Sequence, residues 1–92
     1  MTVVVKKLLL DVLKPRELSI FNLSRALCKV EGVSDVEIIV SEVDTNTETI
    51  KITVNGPKIK YAGISQVMEK QGASLRGVDE IMVTKVRSVE SI

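Results

Sequence analysis

The spacing of hydrophobic positions along the chain first predicts a strand and a helix. Residues 3–13 are rich in aliphatic and β-branched side chains, and neither alternating set of positions is purely polar. This is typical of a strand covered on both faces. Apolar residues then recur at helical spacing at Ile20, Leu23, Leu27 and Val30. We therefore predict an amphipathic helix over residues 16–31, opened by Pro15 and closed by Gly32 in the left-handed conformation.

From residue 36 the apolar period changes to two, which predicts a β-hairpin. One side of each strand is apolar: Val36, Ile38 and Val40 in the first, Ile50, Ile52 and Val54 in the second. If Val40 faces Ile50, the tip of the hairpin is residues 44–46. Asn46 can take the left-handed position that such a tip requires.

A second helix and a last strand complete the pattern. Pro57 is predicted to open the helix and Gly72 to end it, and the last strand is centred on residues 81–83. The order βαββαβ reads as two similar halves and predicts one domain over residues 1–92. Two interleaved βαβ halves give an α+β, ferredoxin-like sandwich. We expect a four-stranded antiparallel sheet, with strand order 4-1-3-2 and both helices on one face.

Two helices can cover only one face of such a sheet. The other face is predicted to carry alternate residues of the last strand together with Val3, Val5, Leu9, Leu13, Ile39 and Val43. Contiguous apolar surface of this kind usually marks an interface. We therefore expect the chain to form a homo-oligomer. In the alternative, residues 86–92 fold back and cover the face.

Composition excludes several kinds of chemistry. The chain has no histidine and one cysteine, Cys28, so the common transition-metal ligand and the usual general base are missing. Cys28 cannot form an intrachain disulfide, and the charged residues Lys6 and Lys7 follow too soon after Met1 for a secretory signal. We expect a reduced, cytoplasmic protein. No apolar run approaches the ~20 residues of a membrane helix, so no membrane partner is expected.

Charge argues against nucleic acid and suggests a different kind of partner. The net charge is +1, and the expected sheet face lacks the aromatic side chains on which bases stack. Residues 33–56 contain five Asp and Glu against one Lys, whereas the segments on either side are basic. This pattern fits either a solvated, locally neutralised surface or head-to-tail self-association between acidic and basic segments.

The acidic hairpin tip is the candidate metal site. In the simple register Glu42 lies opposite Glu48, and Asp44 lies between them at the tip. Opposed carboxylates destabilise a strand pair. A Ca²⁺ or Mg²⁺ ion held by Glu42, Asp44 and Glu48 would neutralise them, as would a basic side chain from a neighbouring subunit. The alternative is a solvated tip with splayed carboxylates.

Three segments of the chain resemble a known family. They are residues 31–36, residues 42–52 and residues 77–81, which read EGVSDV, EVDTNTETIKI and GVDEI. They are similar to a short archaeal family known as the domain of unknown function number two hundred and eleven. The resemblance implies a ferredoxin-like fold, a ring-like or other homo-oligomeric assembly and an archaeal cytoplasmic setting. It implies no activity and no catalytic residue.

The leading functional hypothesis is a non-enzymatic, self-assembling protein that senses a small ligand or a divalent ion at its subunit interfaces. One alternative is a regulatory amino-acid-binding module with ligands near the turn at Gly32. The other is an enzyme that works without histidine and relies on Asp79, Glu80, a lysine or Tyr61. The identity of the small ligand cannot be deduced from these residues.

Overall fold

The computed structural model describes residues 2–87 and shows the predicted element order. Along the chain the elements are β1 (Thr2–Pro15), α1 (Ile20–Cys28), β2 (Asp35–Val43), β3 (Thr47–Asn55), α2 (Tyr61–Gln71) and β4 (Ser74–Val86). The strands form one antiparallel sheet in the order β2-β3-β1-β4. The predicted α+β ferredoxin-like fold and its strand order are therefore confirmed.

The core lies between one face of the sheet and the two helices. Leu23 and Leu27 of α1 and Ile64 and Met68 of α2 are buried in a single cluster. Since both helices contribute to the same cluster, both lie on the same face of the sheet. The strands supply Leu8, Leu10, Val12, Ile50, Ile52 and Val54 to it, all almost completely enclosed. The alternating apolar residues of the sequence thus mark the face that the helices cover.

The first helix is shorter than the predicted range of residues 16–31. Pro15 is the last residue of β1 rather than the start of the helix. Ser19 is the N-cap, and its hydroxyl oxygen accepts hydrogen bonds from the backbone N–H groups of Phe21 and Asn22. The serine hydroxyl can accept hydrogen bonds from the first free N–H groups of a helix, whereas the proline side chain has no acceptor. The helix therefore begins after Ser19, at Ile20.

The glycines were predicted to end the helices, and only one of them does. Gly72 is the left-handed C-cap of α2, with φ of 81°, as predicted. Gly32 also has a positive φ, 86°, but α1 has already ended at Lys29 in the right-handed conformation. Gly32 is instead part of the loop that leads into β2. Similarly, α2 begins at Tyr61 and not directly after Pro57.

β1 and β4 extend beyond the end of β3. The last strand was centred on residues 81–83, and in the structure it runs over thirteen residues. Residues 2–5 of β1 pair with residues 83–86 of β4, whereas the pairing of β1 with β3 begins only at Lys7. This end of the sheet is therefore a two-stranded ribbon, which is marginally stable in water unless something packs against it.

Candidate functional site

The register at the hairpin tip differs from the predicted one. Val36 pairs with Val54 and Val40 pairs with Ile50, as predicted. A β-bulge at Ser41 then shifts the pairing, so that Glu42 lies opposite Thr49 and Val43 opposite Glu48. The Ser41 hydroxyl donates to the carbonyl of Thr49 at 3.1 Å, beside the bulge. The prediction that Glu42 faces Glu48 is therefore wrong.

The bulge also separates the two glutamates across the sheet. Directly paired residues face the same side, and an extra residue reverses the alternation beyond it. Glu42 therefore shares the open face with Thr49, while Glu48 lies on the helix side with Val43. This also corrects the prediction that Val43 lies on the open face. The like charges are separated by backbone geometry.

Glu48 is neutralised within the chain by Lys14, which the sequence reasoning missed. Lys14 is only 2% exposed, and its Nζ lies 2.7 Å from Glu48 Oε1. The ammonium also donates to the carbonyl of Pro15 at 3.0 Å and lies 3.5 Å from that of Arg16. Lys14 continues the alternating buried positions of β1 and lies opposite Glu48 in the register with β3, so the pair becomes evident only once that register is known.

The cation site of Glu42, Asp44 and Glu48 stays a prediction. Among residues 2–87 the structure shows no group of three His, Cys, Asp or Glu side chains placed to hold a metal ion. Glu48 is already paired with Lys14. An ion at the tip would thus have only Glu42 and Asp44 as free carboxylates, unless it displaced the ammonium. Calorimetric titration with Ca²⁺ and Mg²⁺ addresses this point directly.

The open face of the sheet has a polar centre. Lys51 of β3 lies between two carboxylates, with its Nζ 2.7 Å from Asp79 Oδ2 and 3.5 Å from Asp11 Oδ1. Lys7 forms a further ion pair with Glu80 at 3.6 Å. Asp79 is an extra residue in β4 relative to β1. Asp79 and Glu80 therefore lie inside the last strand and pair with lysines.

This arrangement corrects the expectation of a continuous aliphatic face. Val5 packs against the core cluster instead of facing outward. Leu9 and Leu13 are half-buried, and Ile39 is exposed on the same face. The alternative cover for the face, residues 86–92, falls almost entirely outside the described residues.

The electrostatics of the open face lead to a pH-dependent prediction. The hydrogen bond to Asp79 raises the pKa of Lys51 above its ordinary 10.5, although partial desolvation opposes the shift and the charge of Asp11 adds to it. A raised lysine pKa stabilises the fold below pH 10.5, and this contribution is lost as pH rises through the folded-state pKa. We expect Asp79→Asn to lower the Lys51 pKa, measured by NMR titration of its side-chain nitrogen. An unchanged titration would contradict the assignment, and Glu80→Gln is the matched control.

Exposed apolar side chains are concentrated along β4. Five large hydrophobic side chains of this strand are exposed: Val78, Ile81, Met82, Val83 and Val86. Ile81 lies opposite Leu8 and Val83 opposite Val5, so both are on the helix side of the sheet. Both are more than half exposed. The helical layer therefore stops short of this edge of the sheet.

The opposite edge of the sheet carries an apolar groove between α1 and β2. The groove has a volume of about 360 Å³ and is lined by Ile20, Phe21, Ser24, Val36 and Ile38. Phe21 is 65% exposed, with the guanidinium of Arg25 5.5 Å from its ring centre. A large exposed aromatic side chain beside a free strand edge is typical of a contact surface.

The loop that holds Gly32 is closely packed. A Cβ at Gly32 would lie 1.7 Å from the carbonyl oxygen of Lys58, and one at Gly56 would lie 1.9 Å from that of Gly32. These two backbone segments therefore touch where a side chain would otherwise be. The amino-acid site suggested near this turn stays a prediction.

Neither described helix could cross a membrane, since both are too short and insufficiently apolar.

Comparison with known proteins places the chain in a family. The model of the family DUF211, described as "Uncharacterized ArCR, COG1888", matches residues 6–91. The chain is also 30% identical over 81 residues to "Uncharacterized protein MJ0319" of Methanocaldococcus jannaschii, an alignment that covers 88% of this chain and 84% of that protein. The segments that suggested the family in the sequence all fall within the matched range. This chain therefore belongs to the DUF211 family.

Proposed function

We propose that the chain is a non-enzymatic, self-assembling cytoplasmic protein whose copies associate through the exposed edges of the sheet. The observation that carries the proposal is the uncovered apolar surface of β4. A strand that exposes five large hydrophobic side chains along one sheet edge is prone to pair with another chain. Native monomers usually protect such an edge with charges, prolines or a covering segment.

The free energy gained by burying the exposed side chains of β4 can be compared with the cost of association. Covering the exposed part of each of the five side chains would contribute roughly 1 kcal/mol. Association costs about 4–15 kcal/mol in lost translational and rotational freedom. The apolar side chains of β4 therefore offset only the lower part of this range, and further apolar surface or backbone hydrogen bonds from the partner would stabilise the contact.

The proposed non-enzymatic role is supported by the state of the candidate catalytic groups. The chain contains no histidine. Asp79 and Glu80 are both engaged in ion pairs with lysines. A small ligand or divalent ion bound between subunits would then act by shifting the assembly equilibrium, since any ligand that prefers the assembled state stabilises it.

A single substitution tests the role of β4. We expect Ile81→Lys to reduce the particle mass from that of an assembly to that of one 10.1 kDa chain, because an unpaired ammonium in an apolar contact costs several kcal/mol. Light scattering coupled to size-exclusion chromatography measures the mass. Tyr61→Lys, an equally simple exchange on α2, should leave the assembly intact. Equal masses for wild type and Ile81→Lys would contradict the role of this edge.

A further inference from the structure

The helical layer of the fold is basic, although the chain as a whole is nearly neutral. The net charge of the chain is +1. Residues 20–31 and 57–71, which contain the two helices and the residues beside them, have only two acidic residues, Glu31 and Glu69. The same segments have five basic residues, all of them exposed: Arg25, Lys29, Lys58, Lys60 and Lys70. Positive charge is therefore concentrated on the side of the molecule away from the open face of the sheet.

Three of these lysines line one cleft between α1 and α2, which we call the α1–α2 cleft. The cleft has a volume of about 360 Å³. Lys29 follows the last turn of α1, whereas Lys60 and Lys70 lie at the two ends of α2. At 1.5 Å per residue, the backbones of Lys60 and Lys70 are about 15 Å apart along the helix. Because lysine side chains are long and flexible, the three ammonium groups can reach different parts of one bound molecule.

The floor of the α1–α2 cleft is apolar and forms where the two helices approach closely. A Cβ at Gly63 would lie 2.6 Å from Val30 Cγ1, so the lack of a side chain at Gly63 allows α2 to pack against α1. Ala26 and Val67 also line the cleft, and Gln66 adds an amide group. Ligand sites commonly combine an apolar lining with a few convergent polar groups. The cleft has this combination, with cationic groups at its rim.

The positive charge of the α1–α2 cleft is only partly neutralised within the chain. Among residues 2–87, neither Lys29 nor Lys70 forms an ion pair. Lys60 pairs with Glu31 at 3.7 Å, but the two side chains are 62% and 80% exposed. Such exposed pairs contribute little, so the Glu31 carboxylate can move away at small cost. The end of α1 and the start of α2 lie side by side, and their helix dipoles oppose each other. The attraction for an anion therefore comes from the lysines.

We infer that the α1–α2 cleft binds a small molecule that carries two or more phosphate groups. Phosphate oxygens accept charge-assisted hydrogen bonds from lysine ammonium groups. A chain of phosphates spans more of the separation between Lys60 and Lys70 than a single phosphate does, and the apolar floor fits the rest of the molecule. A compact cleft favours a small ligand over a nucleic acid strand, which follows an extended basic groove. Both helices of one chain form the site, so it does not depend on self-assembly.

Calorimetric titration with inorganic triphosphate at low ionic strength tests the site. The wild type should bind one triphosphate per chain, with an affinity that falls as salt is added, because salt screens exposed charges. Lys29→Gln and Lys70→Gln should each weaken binding by roughly fivefold or more. Lys58→Gln removes the same charge from an exposed lysine of the helical layer that does not line the cleft. This control should weaken binding by less than about twofold.

A change of shape without a change of charge distinguishes a defined site from general attraction to a basic face. Ala26→Leu fills part of the cleft floor, and leucine is well tolerated in helices. It should therefore weaken triphosphate binding as the lysine variants do. Unchanged binding by Ala26→Leu, or equal losses for Lys58→Gln and Lys29→Gln, would show diffuse attraction and overturn the site.

Other probes test the class of ligand. Orthophosphate should bind more weakly than triphosphate, and equal affinities would contradict the requirement for two phosphate groups. A single-stranded oligonucleotide that binds more tightly than triphosphate would show that the basic face recognises nucleic acid instead. No heat from triphosphate at millimolar concentration would overturn the inference altogether. Light scattering on the same samples reports self-assembly separately, so failure of the ligand site and failure of the assembly give different results.

Discussion

Lys14→Met is expected to destabilise the fold by about 3–5 kcal/mol, the usual cost of breaking a buried ion pair by removing one partner. The Lys14 ammonium is 2% exposed and lies 2.7 Å from Glu48. Methionine fills a similar volume but leaves the glutamate, which is itself largely enclosed, without its counter-charge. It also leaves the carbonyl of Pro15 without its side-chain donor. Urea unfolding at a fixed protein concentration measures the loss.

Two further variants separate the ion pair from simple loss of packing. The double variant Lys14→Met with Glu48→Met should lose less stability than the sum of the two single variants, because each single change strands the other partner. Lys51→Met removes a half-buried lysine of the same strand pair and should cost less stability than Lys14→Met, because ion pairs that water reaches contribute little. A Lys14→Met protein that unfolds at the wild-type urea concentration would show that the pair does not hold the hairpin to β1.

Gly32→Ala is expected to cost more than about 4 kcal/mol or to prevent folding, since it combines two of the mechanisms behind exceptional destabilisation. The added Cβ would lie 1.7 Å from the carbonyl oxygen of Lys58, a backbone atom that cannot rotate away. The φ of 86° also disfavours any residue with a side chain. Thermal unfolding followed by circular dichroism measures the effect.

The other glycines supply controls for each part of this explanation. Gly72 has nearly the same φ, 81°, but open space where the Cβ would be, so Gly72→Ala should show only the conformational cost of about 1–2 kcal/mol. Gly77→Ala has neither a positive φ nor a neighbour within 4 Å and should be close to neutral by comparison. If the alanine variants of Gly32 and Gly72 lost equal stability, backbone contact would not be the dominant effect.

The topology could be deduced from the sequence because each element carries a local signal. The alternating residues of the hairpin, Val36 to Val40 and Ile50 to Val54, give the pairing of β2 with β3 and even its register. Once the two helices and the right-handed crossovers are recognised, few sheet orders remain. The strand order could therefore be predicted from local hydrophobic periodicity, without knowledge of the tertiary contacts.

The candidate sites depend on β-bulges and on one buried ion pair, which the hydrophobic periodicity of the sequence does not reveal. One extra residue at Ser41 reverses the faces of Glu42 and Val43, and the bulge at Asp79 brings that carboxylate to Lys51. Bulges have no strong sequence signature, so parity arguments fail beyond them. The role of Lys14 was missed for another reason. A buried charge at an apolar position becomes intelligible only when its partner on β3 is known.

The mass of the wild-type particle in solution tests the central claim most directly. Sedimentation equilibrium across micromolar concentrations should give a mass of at least two 10.1 kDa chains, because the exposed edges of the sheet are paired in the assembly. A mass of one chain at every concentration would show that the exposed strand edges stay unpaired, and it would contradict self-assembly.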